Sequence, residues 1–304
     1  MRTMASTDTV TKKTMTSPAQ TVPPAPNDDV VTVCAISMLA GMLAAMAHEG
    51  IGHGLVALLT GVQSGVLSTV AWSSAVDSRL VAAGGTLVNL AAGLVFWIWL
   101  RNARKASPPV RFFLLMTCAF NLFTGTGYFF FSGVTNFGDW AVVIAGMHPH
   151  WLWRALLIVF GVAAYYGAVV IVGSGLVRYV GVLPNAKARM RKLMVSPYVT
   201  AIVLSCAAAL FNPVGMQLLW QSALPATAGA NSGLLWLRHY IPKGSVPERG
   251  PEGIGRSYAW IVKSTALVNH YYFYCVDRDF GPFFLSSVPT SLTTPSSVST
   301  GTSM

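Results

Sequence analysis

The stretch VVTVCAISMLAGMLAAMAHEGIGHGLVALL, from Val30 to Leu59, decides the fold. It is long enough to cross a bilayer, which takes about 20 predominantly apolar residues. At about 1.5 Å per residue it would run roughly 45 Å as one helix, so part of it must tilt or protrude. Four further apolar runs follow: Leu80–Leu100, Phe112–Phe131, Trp151–Val177 and Tyr198–Trp220. The whole chain agrees with them. Of 304 residues, 53 % are hydrophobic and only 10 % charged, and the mean hydropathy is +0.55. A soluble domain carries roughly 25 % charged residues. The expected fold class is therefore all-α, a polytopic transmembrane bundle of about five spans.

The net charge of +10 would suggest nucleic acid in a soluble protein. Here the cations cluster between apolar runs, in 101–111 and again in 178–192, while 61–79 and 132–150 hold only Arg79. Such clustering fixes topology against an anionic inner leaflet. Nucleic-acid binding is set aside, and a cell (inner) membrane is expected. Five spans put both basic loops on one side, the N-terminus inside and the C-terminal segment outside. Residues 1–29 and 286–304 read as disordered Ser/Thr-rich tails, residues 30–222 as the membrane domain, and residues 223–285 as an extramembrane segment. The stretch Ser257–Val276 is rich in β-branched and aromatic residues and reads as strand or interfacial structure. Cys34, Cys118, Cys206 and Cys275 are scattered, form no CxxC pair, and point to no metal or redox motif.

Between Val30 and Val246 the acids are Glu49, Asp77 and Asp139. Asp77 beside Arg79 fits a solvated loop. Glu49 lies within the first apolar run, where a carboxylate is expensive unless paired, protonated or bound to a cation. It stands in Ala47-His48-Glu49-Gly50-Ile51-Gly52-His53-Gly54. Imidazole and carboxylate are ligands that Zn²⁺ takes. A polar patch at a helix interface, with glycines allowing close approach, is the plainer account of the same residues.

With those residues in view, the sequence resembles the site-2 protease family of intramembrane zinc metalloproteases. The matching pieces are AHEGIGHGLVALLTG (47–61) and Asn136-Phe137-Gly138-Asp139-Trp140, within about residues 35–145. The resemblance implies that His48, His53 and Asp139 hold Zn²⁺ and that Glu49 is the general base. It also implies a substrate that is a membrane protein or peptide, cleaved within or beside the lipid bilayer. Asn121 is the candidate to hold substrate backbone, or else it joins helices, as Asn89 is expected to do.

Two features depart from the family pattern. Trp140 follows the Asp where the family has Gly. The first motif is His-Glu-x-x-x-His, one residue longer than the family's. On a regular α-helix, residues five apart lie about 140° from each other. A π-bulge would bring both imidazoles to one face; alternatively Glu49 and His53, four apart, form the aligned pair. Asp139 reads either as a ligand or as the N-terminal residue of a short helix. His148 and His150 read as surface residues, and His239 and His270 are given no role. The rival function is a non-catalytic membrane protein, a scaffold or transporter, whose His-Glu-His patch is a polar network.

Overall fold

The computed structural model describes residues 27–62, 64–67, 71–74, 77–180, 186–211, 215–239 and 253–271. The tails expected over 1–29 and 286–304 lie outside these, apart from 27–29, and so do Cys275 and the 181–185 part of the second basic loop. The first apolar run is continuous helix over Val30–Thr60. It comprises α1 (Val30–Ala45), a π-helical segment (Met46–Leu55) and α2 (Val56–Thr60). Next come β1 (Ser64–Leu67) and β2 (Trp72–Ser74), which pair antiparallel. These short strands lie in what the sequence reads as loop, because four and three residues display no period-two pattern. They are followed by α3 (Arg79–Asn102), α4 (Pro108–Thr135), α5 (Asp139–Val143), α6 (His150–Val180) and α7 (Ala186–Leu210). Beyond these lie α8 (Gly215–Leu218), π turns at Leu219–Ala223 and Pro225–Gly229, α9 (Gly233–Trp236) and α10 (Tyr258–Asn269).

The fold is an all-α polytopic bundle, with five helices among the described residues long and apolar enough to cross a membrane. The chain is an integral membrane protein. The central helix is α4: 83 % of its most apolar stretch is buried, against 28 % for α6. Phe112, Met116, Phe120 and Phe123 of α4 pack with Ile36 and Ala40 of α1. The outward faces are apolar too, with Leu58, Val159 and Val203 all exposed. Large exposed aliphatics on several helices suit a hydrocarbon surround, where inter-helix packing draws on small residues and hydrogen bonds.

The structure departs from the sequence reading at several places. The fifth span is Ala186–Leu210, not Tyr198–Trp220. Its basic first turns are helical because Arg189 is neutralised in the interior. The Arg189 Nε and Nη2 donate to the Asp28 carboxylate at 2.7 and 2.9 Å, and both residues are buried. Ile254 N–H donates to Asp28 Oδ1 at 3.0 Å, and Lys192 Nζ to the Asp28 carbonyl at 2.6 Å. Asp28 and Asp29 thus belong to the fold and not to a tail. Asp29 caps α1 by accepting from Thr32 N–H at 2.8 Å, and that bond first of all holds its carboxyl below the ordinary carboxylate value. The second correction concerns Ser257–Val276, where Tyr258–Asn269 is an α-helix. Its β-branched residues are overridden by packing on α1, and Ser257 N–H is anchored on Thr32 Oγ1 at 3.0 Å. The segment expected to be extramembrane also returns to the bundle, with Leu234 and Leu237 fully buried in its core.

Removing one member of a buried ion pair leaves an uncompensated charge, at about 3–5 kcal/mol. Arg189→Ala should therefore sharply lower the detergent-solubilised unfolding midpoint. Asp28→Ala/Arg189→Ala should recover part of the loss, and a strictly additive double mutant would show that the pair is not coupled.

Candidate metal centre

The π segment solves the spacing problem of His48 and His53. A π turn closes i→i+5 bonds, so residues five apart stack on one face. The two rings lie with centroids 4.8 Å apart, edge to face at 86°. Of the two arrangements the motif allowed, the chain takes the π distortion.

That face is pressed against α3 without intervening side chains. A methyl group on Gly52 would overlap the Gly85 backbone, and one on Gly84 would overlap the Gly52 carbonyl. A Cβ on Gly85 would sit 2.6 Å from His53 Nε2 and 2.7 Å from His48 Cε1. Three glycines thus make the room that the imidazoles occupy. Gly50, by contrast, has nothing within 4 Å of where its Cβ would be.

Asp139 arrives from the other side. Asn136 ends α4 in the left-handed conformation at φ 55°, and Gly138 follows at φ 84°. Gly138 is a position where a glycine is suited, because side chains rarely tolerate that φ. The turn is held by Arg154, which donates to the Gly133 and Val134 carbonyls at 3.0 and 2.7 Å. Trp140 packs on Phe129 with centroids 4.4 Å apart, and Arg79 caps the far end of α5 at the Ala145 carbonyl. As a result Asp139 Oδ2 stands 3.2 Å from His48 Nε2 and 3.6 Å from His53 Nε2.

The outer nitrogens of both rings are also engaged. His48 Nδ1 lies 3.2 Å from Asn89 Oδ1, and His53 Nδ1 lies 2.8 Å from the Val81 carbonyl. Asn89 Nδ2 in turn donates to the Ala44 carbonyl at 3.5 Å, which directs its oxygen towards His48. An acceptor at Nδ1 fixes the proton there and turns the Nε2 lone pair inwards, the arrangement typical of metal-ligating histidines. Two lone pairs and a carboxylate oxygen then converge, with one ligand atom from each residue within 4.8 Å of the others. Asp139 Oδ2 is buried and makes no hydrogen bond of ordinary geometry. Ligand atoms around a tetrahedral Zn²⁺ with bonds of about 2.0–2.1 Å lie roughly 3.3 Å apart. The His48–Asp139 and His53–Asp139 separations of 3.2 and 3.6 Å are near that value, and the three residues form a group that could hold a metal ion.

Glu49 is 7 % exposed and, with His48, lines a cleft between α1, α4, α7 and the segment that follows α8. The cleft has a cavity of about 70 Å³, room for a few water molecules. Tyr128 also lines it and stacks on His48 with centroids 4.7 Å apart. Asn121 does not line it: its amide donates to the Thr117 carbonyl of its own helix at 2.8 Å. His150 contacts Asn136 at 2.9 Å, outside the cluster. No protein-family model, curated protein or solved structure matches this chain.

Asn89 joins α3 to α1 as expected, but its contact with His48, the Val81 carbonyl, the Gly84-Gly85 pair and Tyr128 are not in the sequence reading. Their roles arise from contacts between helices, although the consecutive glycines in an otherwise bulky run were a visible sign of close approach. Gly85→Ala should abolish stoichiometric metal binding in the purified protein, while Gly50→Ala should retain it. Metal content measured by mass spectrometry separates the two, and equal retention would show that Gly85 does not shape the site.

Proposed function

We propose that the protein is an intramembrane zinc metalloprotease that hydrolyses peptide bonds of membrane-embedded polypeptides. One observation carries this reading: His48, His53 and Asp139, which are up to 91 positions apart in the chain, converge beside the buried carboxylate of Glu49. His48 Nε2, His53 Nε2 and an Asp139 carboxylate oxygen would hold the ion. Zn²⁺ bound there supplies Lewis acidity that activates water and polarises a carbonyl. Glu49 takes the proton from the attacking water and returns it to the leaving amine. Asn89 and the Val81 carbonyl keep the imidazoles in the right tautomer and orientation. The surrounding helices keep bulk water away, so water reaches Glu49 through the cleft that it lines. The substrate helix must unwind locally, because a peptide bond closed within helical hydrogen bonds does not offer its carbonyl to a nucleophile.

The His48–Asp139 separation of 3.2 Å also favours a second reading, in which the two share a proton and no metal is needed. The protein would then be a scaffold or a transporter with a polar relay. Metal analysis distinguishes the two. The protease reading expects one zinc per chain, lost in His53→Ala and kept in Glu49→Gln. It further expects Glu49→Gln to lower cleavage of a reconstituted membrane peptide by roughly 10²–10⁴-fold. Wild-type protein that holds no zinc at micromolar metal would overturn it in favour of the relay.

A further inference from the structure

The cleft beside Glu49 has a wall that the motif does not supply. Ser222, Ala226, Thr227 and Asn231, from the segment after α8, line it opposite His48. This wall is part-buried, with Ala230 and Asn231 buried, and is held by its backbone. Tyr198 donates its hydroxyl to the Ala228 carbonyl at 2.9 Å. Tyr165 donates to the Ala230 carbonyl and accepts from Gly233 N–H, the latter at 2.6 Å. Close approach to α4 is possible because Gly127 faces Ala230: a Cβ on Gly127 would lie 2.9 Å from the Ala230 Cβ. Two tyrosines from two helices therefore fix where Asn231 stands.

Asn231 is 3 % exposed. Its Nδ2 donates to the Ala226 carbonyl at 3.2 Å, which settles the orientation of the amide. The other end, Oδ1, is buried and accepts no hydrogen bond among the described residues. A buried acceptor left without a donor is destabilising, and the backbone around this one is held too firmly for it to turn away. It sits at the wall of a cleft that also holds Glu49 and His48.

We infer that Asn231 is a substrate-binding residue whose Oδ1 accepts a backbone N–H from the polypeptide in the cleft. This rests on the protease reading and adds a requirement to it. The bound segment must be unwound far enough to present a free N–H, and a residue lacking that donor is disfavoured at one position. A peptide in helical form has its amide hydrogens committed to its own carbonyls. Pairing with Asn231 therefore favours the opened form that hydrolysis needs.

The test uses zinc-loaded full-length protein in nanodiscs and acetyl-leucyl-phenylalanine hydroxamate, with two twins methylated on the Leu or on the Phe amide nitrogen. The wild type is expected to bind one twin roughly tenfold or more weakly than the parent, and the other less so. Asn231→Ala should erase that difference, and Asn231→Asp, which keeps an acceptor oxygen, should restore it. Equal binding of the parent and both twins by the wild type overturns the inference and leaves the protease reading standing. So does a difference that persists in Asn231→Ala. If zinc-loaded wild type binds no parent hydroxamate at all, the protease reading falls and this inference with it. If Asn231→Ala fails to fold, Asn231→Leu, which keeps the volume and removes the acceptor, carries the same comparison.

Discussion

Backbone meets backbone where the π segment crosses α3, and the positions of the two imidazoles follow from that contact. Gly52 rests on Gly84 and Gly85 with no side chain between them. The approach brings the Val81 carbonyl within reach of His53 and Asn89 within reach of His48. With any larger residue at Gly85 the rings would lose their space. The π distortion and the glycine seam therefore depend on each other. The distortion puts His48 and His53 on one face, and the seam gives that face a floor with hydrogen-bond acceptors at the right height.

The electrostatic design is sparse. In a medium that penalises isolated charge, the buried charges among the described residues lie in two places. At one, Asp28 and Arg189 neutralise each other with a bidentate pair reinforced by Ile254 N–H. At the other, the donors around Asp139 are two imidazoles whose outer nitrogens are already taken. The first arrangement pairs opposite charges and ties three segments together. The second converges two ring nitrogens and a carboxylate oxygen on one point, a grouping that could hold a cation.

Much of this was legible in the residues. Apolar runs of about 20 residues announce spanning helices because the bilayer fixes the length. A Glu flanked by two His in such a run marks a candidate site because hydrocarbon does not tolerate it unaided. Asp139 could be singled out since acids are so rare between Val30 and Val246. The start of the last span was hidden because the partner that makes Arg189 acceptable in a helix is Asp28, 161 residues earlier. The helix Tyr258–Asn269 was hidden for a like reason: its support comes from α1 and not from its own β-branched sequence. Asn89 and Asn231 look alike on the page, as polar residues among small ones. Only the packing shows that one steadies a histidine and the other faces the cleft.

The wall formed by Ser222 to Asn231 carries a consequence for biogenesis. A polypeptide leaves the ribosome from its N-terminus, so the Glu49 helix enters the membrane when the residues opposite it have not yet been joined to the chain. For most of synthesis the nascent protein has reactive side chains but half a groove. The groove is closed only after residue 231 has been made and drawn in by Tyr165 and Tyr198. Chain order thus sets when the cleft can close: the residues of its far wall are the last of its lining to be made.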